Sequence, residues 1–351
     1  MIHRTAPSWQ RIDATDNDST IKNSVLATNT WQQAMQQCIT SPEELFNILD
    51  LDPIHLPATR AANKQFPLRV PLSFIKRMAK GDINDPLLKQ VLPIKQELQH
   101  SPGYLFDPVG EQQNPSKGII YKYHGRALLI VNGHCAVNCR YCFRRHFPYA
   151  DNRLSRPEWE QAISELAANP QISEVIYSGG DPLSASDRQL RWLTQKIAAI
   201  SHIKRLRIHT RLPVVIPERI TVESLKWMTE SRLQTIVVLH INHSNELKSS
   251  ELLHAIQRIK ASGITLFNQA VLLKGVNDTE EQLIQLCESL FTAGVIPYYL
   301  YTLDKVAGAT HFNTELKRAR ALHQAVIARL PGYMVPKLVS EVAGQPSKSP
   351  V

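Results

Sequence analysis

Short apolar runs rich in β-branched residues alternate with amphipathic stretches through the C-terminal two thirds of the chain. The runs are 127–132 (ALLIVN), 174–178 (EVIYS), 205–210 (RLRIHT), 235–241 (TIVVLHI), 264–270 (ITLFNQA) and 295–301 (VIPYYLY). From the second onward they recur about every 30 residues, the length of one βα unit in a parallel sheet. The stretch 187–200 carries Leu190, Leu193 and Ile197 on one helical face behind a Ser186-x-x-Gln189 capping box, and 280–291 also reads as a helix. Six units are too few to close an eight-fold barrel. The pattern predicts an α/β fold, an open, partial (β/α)6 TIM-like barrel with its site at the C-terminal strand ends.

Upstream the pattern is helical. One helix is predicted from Trp31 and another from Ser41-Pro42-Glu43-Glu44, with Ser41 as cap, Pro42 at the first helical position and Glu44 completing a capping box. Segments 67–78 and 86–98 read as further short helices, 101–118 as a Gly/Pro-rich connector, and 1–28 as a loosely held polar arm. The expected organisation is a helical N-terminal region (1–100), the barrel (101–332) and a C-terminal segment (333–351).

At 43% hydrophobic and 20% charged residues, the 351-residue chain has globular composition. Five cysteines, three of them clustered, do not form a disulfide scaffold and imply a reducing, cytoplasmic setting. No signal peptide is recognisable, and no window reaches about 18 uninterrupted apolar residues, so no membrane span is expected. The net charge of +9 is scattered along the chain and carries no RNA-binding signature.

The candidate chemistry gathers at Cys135-Ala-Val-Asn-Cys139-Arg-Tyr-Cys142, just after the first apolar run. Three thiolates at this spacing can each hold one iron of a 4Fe-4S cluster and leave the fourth iron open. Zinc is the rival reading, with His134 or His146 as a fourth ligand. After the second run comes Ser178-Gly179-Gly180-Asp181-Pro182, where paired glycines let backbone approach a ligand and the acid can bind an amine. His209, Arg211, His240, Asn268 and Gln269 add a polar barrel mouth, while Cys38 and Cys287 read as packing residues.

The C-x3-C-x2-C array with Tyr141 before its last cysteine resembles the radical S-adenosylmethionine (SAM) enzymes. Tyr121-Lys-Tyr123-His-Gly-Arg126, Ser178-Gly-Gly-Asp181-Pro-Leu, Pro213-Val-Val-Ile-Pro, Asn268-Gln269-x-Val-Leu-Leu and Tyr298-Tyr-Leu-Tyr301-x-x-Asp304 together resemble lysine 2,3-aminomutase over about residues 100–351. The resemblance implies a 4Fe-4S cluster on Cys135, Cys139 and Cys142, and SAM held by Ser178, Gly179, Gly180 and Asp181, with His240 and Gln269 as further cofactor contacts. It also implies pyridoxal 5′-phosphate (PLP) bound to Lys348, Tyr123 and Arg126, with Arg126 at the phosphate. Lys348 would be the Schiff-base residue. Arg144 would take the α-carboxylate of lysine, and Asp304 and Glu341 its ε-ammonium.

The implied reaction is a radical 2,3-shift of the amino group from L-α-lysine to β-lysine. Lys122 stands where the family pattern has arginine, and Thr279 where longer relatives have a zinc cysteine, so no structural zinc is expected. The short form resembles the bacterial enzymes that make β-lysine for elongation factor P and its lysyl ligase. A flavodoxin- or ferredoxin-type reductant and a homo-oligomer go with that resemblance, and no direct nucleic-acid contact does. An aminomutase for another amino acid such as glutamate is the nearest alternative. A non-enzymatic iron–sulfur module that binds RNA or protein is the alternative of a different class.

Overall fold

The computed structural model describes residues 30–112 and 116–351, so the expected arm at 1–28 lies outside the described residues. The six apolar runs become strands: β2 (Arg126–Asn132), β3 (Glu174–Gly179), β4 (Arg205–Thr210), β5 (Gln234–His240), β6 (Thr265–Val271) and β7 (Ile296–Tyr301). Three further strands flank them: β1 (Ile119–Tyr121), β8 (Lys337–Ser340) and β9 (Ser349–Pro350). The nine lie in the sheet in chain order, antiparallel at both ends and parallel from β2 to β8. The parallel part thus holds seven strands rather than six. β8 is only four residues long and follows no βα-length repeat, which is why the periodicity does not announce it.

Helices cover the outside of the sheet. Ser186, Ser249 and Thr279 each cap one by accepting a backbone N–H three residues on. Helix Asp187–Ala198 buries Leu190, Leu193 and Ile197 as its period requires, and Cys287 is buried in helix Glu280–Ala293. Among the described residues no helix is long and apolar enough to cross a membrane.

The N-terminal helices are shorter than predicted. Trp31–Gln36 and Pro42–Leu49 form, but Ser41 caps only by accepting the Glu44 N–H, and Glu43, not Glu44, receives its hydroxyl at 2.7 Å. In 67–78 only Leu72–Ile75 is α-helical, because Val70 is drawn into an antiparallel bridge with Ile39. In 86–98 the α-helix stops at Lys89 and a single 3₁₀ turn, Lys95–Leu98, follows Pro93, whose missing N–H cannot continue a helix.

This region shares one apolar core with the barrel, Trp31, Phe46 and Phe74 packing in the same cluster as Leu129 and Tyr177. It also grips the cysteine loop. Asn138 N–H donates to the Arg69 carbonyl at 3.0 Å and Arg140 N–H to the Gln90 carbonyl at 2.9 Å. Glu97 takes the Arg140 guanidinium at 2.9 and 2.5 Å and that of Arg145 at 2.7 Å, and both guanidinia lie over the Phe66 ring. All three charged side chains are almost wholly buried. Glu97→Gln leaves two buried cations short of their anion and should cost about 3–5 kcal/mol of stability. Chemical denaturation measures this, and a loss below about 1 kcal/mol, the scale of a surface pair, would contradict it.

Candidate functional site

A cavity of about 1070 Å³ runs inside the sheet and is lined by the three cysteines, the Ser178–Asp181 loop, His209, Arg211, His240, Gln269, Tyr123, Arg126, Arg144, Asp304, Glu341 and Lys348, whereas Asn268 of the expected barrel mouth is turned to the Ile241 backbone. It extends from the cysteines beyond the C-terminal end of β2 to Arg126 and Glu174, which open β2 and β3. The site therefore occupies the length of the barrel, not only the C-terminal strand ends.

At the upper end, burial pushes the Cys142 thiol up to about 11 and Cys135 further. Thiols so placed ionise only when a cation compensates, which is what iron supplies. Neither His134 nor His146 lines the cavity, and His146 Nε2 bonds to the Ala307 carbonyl at 3.2 Å. Among the described residues no three His, Cys, Asp or Glu side chains gather closely enough to share one metal ion. The donor set fits a cluster, in which each thiolate meets a different iron.

The glycines beside the cysteines are required by the protein itself. A Cβ on Gly179, whose φ is +116°, would stand 2.5 Å from the Asn132 carbonyl oxygen, and one on Gly180 2.7 Å from that of His134. The Gly-Gly turn thus lets the end of β3 lie against the loop leading to Cys135. Asp181, expected to bind the amine of SAM, is engaged inside the fold. One oxygen accepts from Thr210 Oγ1 (2.7 Å) and Leu183 N–H (3.1 Å), the other from the N–H groups of Arg211 (2.7 Å) and Leu212 (2.8 Å). It locks the turn after β3 to the end of β4.

His240 and Gln269 are register partners on β5 and β6, and the Gln269 amide donates to His240 Nε2 at 2.7 Å. Burial, followed by the charges of Arg211 and Arg144, pushes His240 down to about 3, so the ring is neutral. Nearby, buried His209 Nε2 has no hydrogen-bond partner among the described residues, a polar atom facing the cavity that a ligand would satisfy.

Arg144 is buried and its fork is full. Nε and Nη2 hold the two oxygens of Glu111 at 2.6 and 3.0 Å, and Nη1 donates to Ser178 Oγ at 2.8 Å and the Gly179 carbonyl at 3.2 Å. Glu111, from the Gly/Pro-rich connector, also meets Lys122 Nζ at 2.9 Å. Despite its burial, the Arg144 and Lys122 charges hold its carboxyl down at about 2. Lys122 reaches on to Glu341 at 3.1 Å, so it bridges two carboxylates.

At the lower end the C-terminal segment folds back. β9 pairs with β8, Val339 opposite Pro350, and delivers Lys348 into the cavity. Glu341 accepts from Lys348 Nζ at 2.9 Å and Tyr123 Oη at 2.7 Å as well as from Lys122. The Lys348 ammonium lies 4.8–5.6 Å from the ring centres of Tyr301, Tyr299 and Tyr123, within cation–π range. Tyr123 has a φ of +62°, a strained backbone for a tyrosine that aims its ring into this cage. Burial lowers the Lys348 ammonium against the opposing pull of Glu341. An amine so tuned suits bond formation with an aldehyde such as PLP. Arg126 and Arg207, both ion-paired to Glu174 at 3.5 and 3.0 Å, and Lys337 line the same end and supply cations for a phosphate. The sequence reading missed Glu111, Arg207 and Lys337.

Asp304 differs from its neighbours. Its carboxylate makes no ion pair or hydrogen bond among the described residues, and burial, then the Glu341 charge, raise it to about 7. It is an anion site without a cation. Since its folded value lies above the ordinary 3.8, Asp304 favours the folded state below about pH 4, and that contribution is lost as pH rises to about 7. Asp304→Asn should therefore gain stability over the wild type progressively from pH 4 to 7 and hold it above. Urea denaturation across that range checks this, and parallel curves would refute it.

Residues 129–287 match the Radical SAM superfamily. The L-lysine 2,3-aminomutase of Escherichia coli strain K12 is 49% identical over 92% of this chain and 94% of its own length. That of Haemophilus influenzae is 46% identical over 91% and 94%, and that of Clostridium subterminale 32% identical over 92% of this chain and 78% of the relative. At this identity over nine tenths of its length, the chain belongs to the L-lysine 2,3-aminomutase family of radical SAM enzymes.

Proposed function

We propose that this chain converts L-α-lysine to β-lysine by a 2,3-shift of the amino group, with a 4Fe-4S cluster, SAM and PLP as cofactors. The observation that carries the reading is the unpaired Asp304 carboxylate in a cavity that also holds three cysteines and an amine-bearing tail. A buried anion with no partner selects a ligand that brings a cation, and the ε-ammonium of lysine is such a group. When bound, the cluster with SAM supplies a hydrogen-abstracting radical, and PLP carries the amino nitrogen and spreads the unpaired electron.

The chain's own residues position the reactants. Cys135, Cys139 and Cys142 would hold the cluster, the Gly179–Gly180 backbone, His240 and Gln269 would meet SAM, and Lys348, Tyr123 and Arg126 would hold PLP, with Arg207 and Lys337 adding charge for its phosphate. Arg144 grips one carboxylate already, that of Glu111, in the bidentate geometry an α-carboxylate needs. Substrate binding exchanges one carboxylate for the other. Glu341 steadies Lys348, Lys122 and Tyr123, which leaves Asp304 as the main ε-ammonium partner. Orientation and exclusion of water are then the protein's share of the rate.

The same reading extends to cytoplasmic turnover with a flavodoxin- or ferredoxin-type donor, to a homo-oligomer, and to transfer of the product to elongation factor P by its lysyl ligase.

The test is turnover of lysine by anaerobically purified protein supplied with PLP, SAM and a reductant. Asp304→Asn should lower kcat/KM for lysine by about two to three powers of ten, because the ammonium is stranded. SAM and PLP binding should persist. Near wild-type kcat/KM in that variant, or a wild type that prefers glutamate, would overturn the lysine assignment. Lys348→Ala should lose the borohydride-fixable PLP absorbance while keeping its iron, and full activity after removal of residues 344–351 would refute the role of the tail.

A further inference from the structure

Arg211, just after β4, is buried and lines the cysteine end of the cavity. Its Nη1 donates to Cys139 Sγ at 2.8 Å and to Tyr141 Oη at 2.6 Å; its Nη2 donates to Gln90 Oε1 at 2.8 Å and to Glu246 Oε2 at 3.0 Å. Its backbone N–H holds Asp181, which closes the Gly-Gly turn. One residue therefore joins the cysteine loop, the turn after β3 and the N-terminal helical region.

We propose that Arg211 is a positioning residue for the iron–sulfur cluster that raises its reduction potential, through an N–H···S bond to Cys139 and a fixed positive charge beside it. The inference rests on the cluster reading above.

The argument is electrostatic. One-electron reduction, by an external one-electron donor, adds negative charge to the cluster. An adjacent cation and a hydrogen bond to a ligating sulfur stabilise the reduced form more than the oxidised form. The charge is held in place. Glu246, fully buried, is fixed by the N–H groups of Asn242 and His243 and by the Gln90 amide, and meets Arg211 only through Nη2, the arm that does not touch sulfur. It does not cancel the local charge, because a second guanidinium, Arg77, shares the Phe74 ring with Arg211 and donates to the Glu246 carbonyl at 2.5 Å. Tyr141 is fixed from its other side by Asn242 Nδ2 at 2.7 Å, so the fork cannot swing away from Cys139 without breaking a second buried contact.

The test is an anaerobic reductive titration of the reconstituted full-length protein, followed by the electron paramagnetic resonance of the reduced cluster. Wild type is compared with Arg211→Lys and with the double variant Arg211→Met/Glu246→Gln, which removes the ion pair together while the backbone carbonyl of residue 246 still accepts from Arg77. Both should retain iron. At a poise where the wild type is half reduced, the ratio of reduced to oxidised cluster should fall about tenfold or more in the double variant and by less in the lysine variant, which keeps charge but loses the fork. Iron retained with an unmoved midpoint in either variant overturns the proposal. Should the double variant fail to fold, the lysine variant alone decides. A wild type that takes up no iron overturns the cluster reading as well, so the two failures are distinct.

Discussion

Charge inside this barrel is arranged by one constraint: a buried ion must meet its opposite or give up its ionisation. The cavity satisfies this with an alternating chain, Arg144 to Glu111 to Lys122 to Glu341 to Lys348, every link between 2.6 and 3.1 Å. The chain starts beside the Ser178–Gly179 turn and ends on the C-terminal strand. Its last link exists only because β9 pairs with β8, so a two-residue strand holds an ion in place that no local propensity would put there. Among the described residues Asp304 is a carboxylate of this cavity with neither an ion pair nor a hydrogen bond, which leaves room there for a cation.

The barrel was legible because its strands are apolar runs at a regular spacing, and the cysteines because soft ligands at short spacing have few other uses. The failures have physical causes. β8 and β9 are too short to show a period, and Lys337-Leu-Val-Ser and Ser349-Pro become strands only through pairing with each other and, for β8, with β7. Glu111 sits in a Gly/Pro-rich connector where a lone acid reads as solvated; only the fold reveals the buried guanidinium opposite it. Asp181 has a structural engagement that its sequence context does not announce. An acid after two glycines looks free to bind a ligand, yet four donors from the ends of two strands consume it.

The helical N-terminal region carried no motif, and its sequence suggested no chemistry. Its contribution is mechanical and electrostatic: carbonyls of Arg69 and Gln90 fix the backbone of the cysteine loop, Glu97 neutralises the two arginines that follow Cys139 and Cys142, and Gln90 orients the guanidinium beside Cys139. Ala136 and Val137 anchor the loop of three half-buried thiols in the main core, and polar groups fix the backbone around them. Its geometry is imposed by groups as far as 98 positions distant in sequence, Cys38 Sγ donating to the Ala136 carbonyl, which no short-range pattern encodes.

Lys122 shows how a departure from a family pattern is absorbed. An arginine at this position suits a planar, bidentate partner such as a phosphate, whereas an ammonium is a compact charge with three donors in tetrahedral directions. Here one nitrogen bridges two carboxylates from different parts of the chain, Glu111 at 2.9 Å and Glu341 at 3.1 Å. A planar fork would commit most of its donors to one of them. The lysine instead couples the acid that occupies Arg144 to the acid that steadies Lys348. Glu111 thus has two cationic partners, Arg144 and Lys122, so the pairing of its buried charge does not depend on either alone.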